Sequence, residues 1–212
     1  MSDFVTLTQE LRQIAGLSGT GPADVATATG IELQLVRHIR DAWLAIQTDH
    51  KDWKWMWKEY EIPSPGSGPL QTIGNTTDYI LTDVRKFWTN TFISYKTSLG
   101  TTDRQRMTFV PWEAYRRRYA VANVTASRPI QCTRMPNGNL RVYKPDDIYS
   151  IEFEIQKRAQ VLLVNADIPD LPSDYHPLII YEALKIFGKA HDAPELIKLA
   201  EEEGGSEGGE GR

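Results

Sequence analysis

The amino-acid sequence predicts an α+β fold, with helices at both ends of the chain and a β-region between them. Three observations predict it: apolar residues at helical spacing near the N-terminus, alternating strand-like segments in the centre, and a long apolar segment with capping residues near the C-terminus. We therefore expect a single α+β domain over residues 1–203. Its helices are expected at about 3–49 and 174–203, and its β-region at about 54–157.

The first helix is predicted from apolar residues at i, i+3 and i+4 spacing, which are Phe4, Leu7, Leu11, Ile14 and Ala15. Ser2 is its candidate N-cap, and Gly16 marks its end. Residues 23–28 are expected to add a turn or two of helix before Gly30.

The second helix is predicted from about Ile31 to Thr48 and has the longer apolar stripe to bury. The stripe consists of Leu35, Ile39, Ala42 and Ile46, flanked by Val36 and Trp43. Arg37, Arg40 and Asp41 are expected to face away from it.

The hydrophobic period changes after the second helix. Trp55 and Trp57 alternate with polar or long side chains, which predicts a strand with aromatic residues on one face. The alternative is a continued helix with Trp53, Met56 and Trp57 on one side, and we favour the strand. Pro63–Pro69 is rich in proline, glycine and serine. Because strand-like sequence lies on both sides, we interpret it as a hairpin-type connection rather than an interdomain linker.

About five to seven antiparallel strands are expected in the middle of the chain. The segments that alternate or carry β-branched and aromatic residues are Thr91–Lys96, Met107–Val110, Pro129–Met135, Asn139–Tyr143 and Ile148–Ile155. Asn137 and Gly138 join the third segment to the fourth and predict a tight hairpin with a type I′ turn, which needs positive φ at both central positions. Pro111–Tyr119 is predicted to be a short helix.

Capping and periodicity signals near the C-terminus predict two further helices. A proline followed by serine and aspartate places the first start at Ser173 or, because of the next proline, at His176. Leu178–Ala190 has only a narrow polar stripe, which is typical of a buried or interfacial helix. Asp192 and Pro194 then begin the last helix.

The chain ends in an acidic tail. Residues 201–212 contain no apolar side chain and cannot offset the entropy lost on ordering. We expect this segment to be mobile in the free protein, with 204–212 as a flexible Gly/Glu tail.

Composition limits the classes of function. The chain has 212 residues, 41% of them hydrophobic, and a formal net charge of −4. The acidic balance argues against a protein that grips nucleic acid through its phosphates. The single cysteine, Cys132, excludes an internal disulfide and is interpreted as a small core or half-buried residue. Without a long apolar run or a signal-peptide pattern, we expect neither a membrane span nor secretion.

No catalytic, cofactor or metal site is predicted. The four histidines are separated in sequence, and His176 beside Asp174 is interpreted as a surface cap. Glu152 and Glu154 are interpreted as the solvent side of a strand, although a glycosidase-like pair is conceivable. Arg116–Arg118 is interpreted as a structural or subunit-contact element rather than a nucleic-acid patch. The tryptophan cluster is interpreted as core or interface rather than a sugar platform.

Five segments occur in an order that is typical of one protein family. They are RHIRDAWLAIQTDHKDWKWMW (Arg37–Trp57), FVPWEAYRRRY (Phe109–Tyr119), RPIQCTRMPNGNLRVYKP (Arg128–Pro145), LPSDYHPLIIYEAL (Leu171–Leu184) and DAPEL (Asp192–Leu196). Over most of Leu35–Glu203 the chain thereby resembles the head–tail adaptor (connector) proteins of tailed bacteriophages, which form a ring beneath the portal.

The resemblance implies a virion structural protein that is not an enzyme and needs no cofactor. It implies a homo-oligomeric ring of about twelve copies that docks on the portal protein, extends the DNA channel and offers an attachment surface to a tail or nozzle protein. Genomic DNA would pass through the lumen without specific binding, and no membrane would be involved. The implied location is the neck of the virion, after assembly in the host cytoplasm.

The residues predicted to form the partner interface are aromatic or charged, and they are Trp43, Trp55, Trp57, Tyr115, Arg116, Tyr181, Lys185, Lys189, Glu201 and Glu202. The nearest alternative function is that of a neck or tail-completion protein lower in the same stack. Two further alternatives are a cell-wall hydrolase that uses Glu152 and Glu154, and a carbohydrate-binding virion module that uses the tryptophans.

Overall fold

The computed structural model describes residues 2–49, 53–60, 69–72, 76–119 and 125–207. The chain folds into two compact units. The helical unit comprises Met1–Trp55 and Ala159–Arg212, and the β unit comprises Met56–Arg158. The predicted α+β class and the predicted order of helices, β-region and helices are confirmed.

The helical unit begins with α1, Phe4–Ile14. Its N-cap is Asp3, whose carboxylate accepts a hydrogen bond from the Thr6 N–H at 2.9 Å. The prediction of Ser2 as the cap is wrong, because the Ser2 N–H instead donates to Nδ1 of His176. The prediction of helix at residues 23–28 is also wrong, since that segment contains only a turn.

The second helix, α2, spans Gly30–Asp49 and buries Leu35, Ile39 and Ala42 of the predicted apolar stripe, while Ile46 is half-buried. Arg37 and Asp41 are exposed, as predicted. Arg40 does not face away: its Nε donates to the Leu162 carbonyl at 2.9 Å, and its guanidinium lies 5.7 Å from the centre of the Phe4 ring. That part of the prediction is wrong because a segment 122 residues away in sequence covers this side of α2.

Two helices complete the unit. A 3₁₀ turn at Ser173–Tyr175 leads into α4, His176–Ala190, so the later of the two predicted starts is confirmed. The last helix, α5, spans Pro194–Glu207 and packs on α4. Gly188 permits this approach, because a Cβ there would lie 2.8 Å from Cγ1 of Ile197. Helix α5 thus continues into the segment predicted as tail, while residues 208–212 lie outside the described residues.

The core of the helical unit is mainly aliphatic. Its fully or almost fully buried side chains include Leu7, Leu11, Leu35, Val36, Ile39, Ile179, Ile180 and Leu184, together with Phe4, Trp43 and Phe187. The amphipathic helices bury these side chains against one another, and that burial is the main stabilising contribution in such a unit.

The β unit contains eleven short strands within the described residues. They are β1 (Trp57–Glu59), β2 (Leu70–Gln71), β3 (Asp78–Tyr79), β4 (Val84–Phe87), β5 (Ile93–Lys96), β6 (Gln105–Arg106), β7 (Thr108–Phe109), β8 (Gln131–Arg134), β9 (Leu140–Val142), β10 (Tyr149–Glu152) and β11 (Glu154–Lys157). Three sheets have the orders β1-β11-β4, β2-β10-β5-β6 and β3-β9-β8-β7. All pairings are antiparallel except β7 with β8, and α3, Trp112–Tyr119, forms as predicted.

The strand number exceeds the prediction partly because one predicted strand, Ile148–Ile155, is two. The chain changes sheet at Phe153, whose carbonyl accepts from the Tyr60 N–H at 2.8 Å. The Phe153 ring stacks on Phe92 at 4.7 Å and on Tyr60 at 5.0 Å. An aromatic cluster at the centre of the β unit therefore anchors the point where the chain changes sheet.

The predicted hairpin between β8 and β9 is confirmed, with Cys132, Thr133 and Arg134 paired antiparallel to Val142, Arg141 and Leu140. The turn type is different. Gly138 has φ of 89°, whereas Asn137 is not in the positive-φ region, so the turn is not type I′. The Gly138 N–H donates to the Met135 carbonyl, and the Met135 N–H donates to the Asn139 carbonyl. This is a three-residue loop that closes with a left-handed glycine.

Two predictions near the start of the β unit are wrong. Lys54–Met56 is a 3₁₀ turn, and the strand begins only at Trp57, so Trp55 is not part of it. The strands on either side of Pro63–Pro69 do not form a hairpin, because β1 pairs with β11 and β2 pairs with β10. Most of Pro63–Pro69 itself lies outside the described residues.

Candidate functional site

The tryptophans predicted to form an interface differ in exposure. Trp43 is completely buried, and Trp55 is half-buried and stacks on it with a ring separation of 5.3 Å. Both side chains serve the interior of the helical unit. Trp57 is 46% exposed; its Nε1 donates to Glu154 at 2.9 Å, and its ring lies 4.9 Å from Trp88. Of the three, only Trp57 offers an exposed ring.

Of the two predicted interface residues on α3, one is buried and one is exposed. Tyr115 is buried, its hydroxyl donates to the Val142 carbonyl at 3.0 Å, and burial raises its pKa. This tyrosine fixes α3 to the sheet and is not a surface side chain. Arg116 is exposed.

The predicted residues on α4 and α5 are mostly at the surface. Lys189, Glu201 and Glu202 are exposed, whereas Tyr181 is half-buried beside Gly204 of α5. Lys185 forms an ion pair with Glu182 at 3.1 Å. A partner role for the exposed members stays a prediction.

The carboxylates considered for hydrolysis have different partners. Glu152, in β10, forms an ion pair with Arg104 at 2.7 Å, whereas Glu154, in β11, accepts from the Trp57 indole. The two strands belong to different sheets. Among the described residues there is no group of three or more histidine, cysteine, aspartate or glutamate side chains that could hold a metal ion. Cys132 is fully buried, which raises the pKa of its thiol.

His176 is buried, and its interpretation as a surface cap is wrong. Its Nδ1 accepts from the Ser2 N–H at 3.3 Å, and its Nε2 lies 3.0 Å from the Leu171 carbonyl. Because Nδ1 accepts, Nε2 carries a proton and donates it to the Leu171 carbonyl. His176 thereby joins the N-terminus of the chain to the start of α4.

The strongest candidate for an interaction surface is the chain segment before α4. Residues 160–170, here called the apolar loop, expose four apolar side chains. Their exposed fractions are 50% for Val161, 62% for Leu163, 57% for Val164 and 38% for Ile168. Apolar side chains that are grouped and exposed are typical of protein interaction sites.

The apolar loop is held rigidly at one end by a buried glutamine. The Gln47 side chain accepts from the Gln160 N–H at 2.7 Å and donates to the Gln160 carbonyl at 2.9 Å. The Gln160 side chain in turn donates to the Ile168 carbonyl at 2.8 Å and accepts from the Asp170 N–H at 2.9 Å. Gln160 therefore bridges the two ends of the loop.

Further hydrogen bonds fix the tip of the apolar loop. The Asp167 carboxylate accepts from the Leu163 and Val164 N–H groups, which lowers its pKa. The Asp167 carbonyl accepts from the Phe4 N–H at 2.8 Å, and the Asn165 amide oxygen accepts from the Val25 N–H at 2.8 Å. Because the backbone is fixed in this way, the exposed apolar side chains are presented in a defined arrangement.

The sequence interpretation missed the apolar loop. The available signal was the run Val161–Val164, four apolar residues that are part of no predicted helix or strand. In the structure only Leu162 of these points inward, and it is completely buried. No sequence signal identified Gln47 as the residue that anchors the loop.

Comparison with known protein families identifies the family of this chain. The family model of the SU10 adaptor protein matches residues 2–203. The chain belongs to the SU10 adaptor protein family. The match confirms the predicted resemblance and supports a structural role as a phage head–tail adaptor. No significant match to a curated protein is found.

The family match covers both units of this SU10 adaptor family member, including the apolar loop. Within the residues that the structure describes, none of the helices is both long and apolar enough to cross a membrane.

Proposed function

We propose that this protein forms the head-to-tail adaptor ring of a phage particle, in which about twelve copies bind one another and the portal. The two units would act together as the adaptor domain over residues 1–203. The observation that carries the proposal is the apolar loop: a member of an adaptor family presents four exposed apolar side chains on a rigid backbone. Rigid presentation favours binding because little conformational entropy is lost on contact.

The apolar loop is proposed to dock on the portal protein. A contact of this kind needs apolar side chains at its centre and few charges there. From Gln160 to Ala166 the loop contains no charged residue, and the carboxylate of Asp167 already accepts two backbone N–H groups. A partner that covers residues 160–166 therefore buries no charged side chain.

The charge of the chain suits a channel for DNA. With 28 acidic and 24 basic residues, each copy has a formal net charge of −4. A ring of such copies repels phosphates, so genomic DNA would pass through the lumen without specific binding. The ring would extend the portal channel and give the tail or nozzle protein its attachment surface, in the neck of a virion assembled in the host cytoplasm. This role requires no cofactor, catalysis or membrane.

The free protein is proposed to be mainly monomeric and to assemble on the portal. Like net charges on all copies oppose spontaneous ring closure. Light scattering of the isolated protein at micromolar concentration should therefore give the mass of one chain. A stable ring in isolation would contradict this step.

The docking proposal is tested by the double substitution Leu163→Ser and Val164→Ser. Both side chains are exposed, so the fold should be retained while the affinity for purified portal falls on the order of tenfold or more. Ile80→Ser in the β unit is the matched control, since Ile80 is 80% exposed and has the same apolar chemistry. Co-sedimentation with portal measures the effect. Equal portal binding by the loop variant and the wild type would contradict the proposal.

A further inference from the structure

The three consecutive arginines of α3 differ from other arginines of the β unit. Arg104, Arg128 and Arg141 each form an ion pair with a carboxylate. Arg116, Arg117 and Arg118 are all exposed, and among the described residues none of them forms an ion pair. The guanidinium of Arg118 lies 5.4 Å from the centre of the Tyr119 ring, so the charges of Arg116 and Arg117 are the ones most available for a partner.

The helix that carries these arginines, α3, is fixed to the sheet. Its inner side is attached by the Tyr115 hydroxyl to the Val142 carbonyl and by the Tyr119 hydroxyl to Oε1 of Gln131 at 2.7 Å. At its start, the guanidinium of Arg141 lies 5.3 Å from the centre of the Trp112 ring. The outward side of α3 is therefore a stable basic surface.

Helix α5 of the helical unit has the opposite charge. It carries five glutamates and one lysine. Its inner side contains buried Ala200 and Gly204, where a Cβ would lie 3.2 Å from Cβ of Tyr181. Glu195, Glu201 and Glu202 lie on the exposed side. Each copy therefore carries one basic and one acidic helix surface, on different units.

We propose that the arginines of α3 in one copy bind the glutamates of α5 in the next copy of the ring. A ring is closed by a head-to-tail contact between two different, complementary surfaces, and these two helices supply such a pair. Opposite charges at the contact also offset the repulsion between copies of net charge −4. DNA is a poorer occupant of α3, because the chain as a whole has a net charge of −4 and repels phosphates.

The inference rests on the proposed ring, and reciprocal charge reversal tests it. The first variant carries Arg116→Glu and Arg117→Glu, and the second carries Glu201→Arg and Glu202→Arg. Each variant alone should form rings on the portal only at a protein concentration about tenfold higher than the wild type, because α3 and α5 then carry like charges and repel each other. An equimolar mixture of the two variants should restore assembly, because every contact of an alternating ring then joins opposite charges. The chain with all four substitutions should also assemble.

Controls separate this contact from a general charge effect. The control variant carries Arg37→Glu and Lys58→Glu, at two other exposed positions. It changes the net charge by the same amount as the first variant and should leave assembly unchanged. Wild-type-like rings from either reversed variant alone would overturn the inference. Failure of both the mixture and the four-substitution chain to recover would overturn it as well, and would assign the helices to contacts with portal or tail.

Cross-linking tests the contact independently of the portal. Arg117→Cys and Glu202→Cys variants, mixed at high concentration under mild oxidation, should give a disulfide-linked heterodimer. Native Cys132 does not compete because it is completely buried. The matched pair Arg37→Cys with Glu202→Cys should give little heterodimer. If the heterodimer forms but the protein does not bind the portal, the inference is retained and the portal proposal is contradicted. If rings form on the portal but the two cysteines do not cross-link, only the inference is contradicted.

Discussion

The helical unit and the β unit each bury one glutamine, and the two side chains have different surroundings. Gln47, in α2, is completely buried and exchanges two hydrogen bonds with the backbone of Gln160. Gln156, in β11, is equally buried, yet neither its amide oxygen nor its amide nitrogen has a hydrogen-bond partner among the described residues. In the helical unit the buried glutamine thus fixes one end of the apolar loop.

The β unit is held together differently. Its centre is aromatic, with Phe87, Phe92 and Phe153 in mutual contact, and its strands are at most four residues long. Ion pairs at its surface, such as Arg128 with Asp103, connect loops and strands. Both units contain buried hydrogen bonds, but the β unit packs aliphatic side chains around an aromatic cluster, whereas the core of the helical unit is mainly aliphatic.

The largest effect is expected from Phe153→Ala. The ring is almost completely buried and contacts Phe92, Phe87 and Tyr60, so its loss should lower the free energy of unfolding by about 3–5 kcal/mol. Denaturant unfolding measures the change, and hydrogen exchange should locate it in the β unit. Phe109→Ala, at the half-buried edge of the same cluster, is the matched comparison and should cost less. An equal loss of unfolding free energy in the two variants would contradict the conclusion that Phe153 is at the centre of the cluster.

The next effect is expected from Gln47→Met. The side chain keeps its size, but the N–H and carbonyl of Gln160 lose their partners, which should lower the free energy of unfolding by about 1–3 kcal/mol. Amide exchange of residues 160–170 should become faster, and portal binding should weaken although no exposed residue has changed. Gln34→Met, at an exposed position of the same helix, is the control. Unchanged exchange in the loop would show that Gln47 does not anchor it.

A smaller effect of opposite sign is expected from Gln156→Met. Replacement of a buried amide without partners by an apolar side chain of similar size should be neutral or raise the free energy of unfolding by about 1 kcal/mol. Thermal unfolding of the Gln156→Met and Gln47→Met variants measures the difference between the two buried glutamines. Destabilisation similar to that of Gln47→Met would show that the two glutamines are equivalent.

Acid should weaken the β unit through three carboxyls that are paired with basic side chains. Hydrogen bonds from Arg141, Arg128 and Lys96 lower the pKa of Asp78, Asp103 and Asp147 respectively. A carboxyl whose pKa is lower in the folded than in the unfolded state stabilises the fold above its ordinary pKa of about 3.9, and this stabilisation is lost as pH falls further. The melting temperature of the wild type should therefore decrease as the pH is lowered below about 4. The melting temperature of the Asp78→Asn variant should decrease less steeply over the same range. Parallel curves for the two proteins would argue against this contribution.

The sequence predicted most of the helices because their signals are local. Spacing, capping residues and prolines placed α2, α3 and α4 within a residue or two. The same reasoning failed where the deciding partner is distant in sequence. His176 is buried by a contact with Ser2, 174 residues away, and Arg40 is drawn inward by Leu162. No local pattern contains these pairs.

The β unit was less predictable for the same physical reason. Two-residue strands such as β2, β3 and β6 have too few residues to show alternation. The break at Phe153 depends on Phe92 and Tyr60, which are distant in sequence. Of the predicted interface residues, the burial of Trp43 and Tyr115 could not be foreseen, because an aromatic residue on a helix suits a core as well as an interface.

The proposed adaptor role is tested most directly by electron microscopy of this protein mixed with the portal of its phage. We predict a closed ring, coaxial with the portal, in which the helical unit faces the portal and the apolar loop, including Leu163 and Val164, lies in the contact. A protein that leaves the portal bare and binds only to the end of the tail would contradict it.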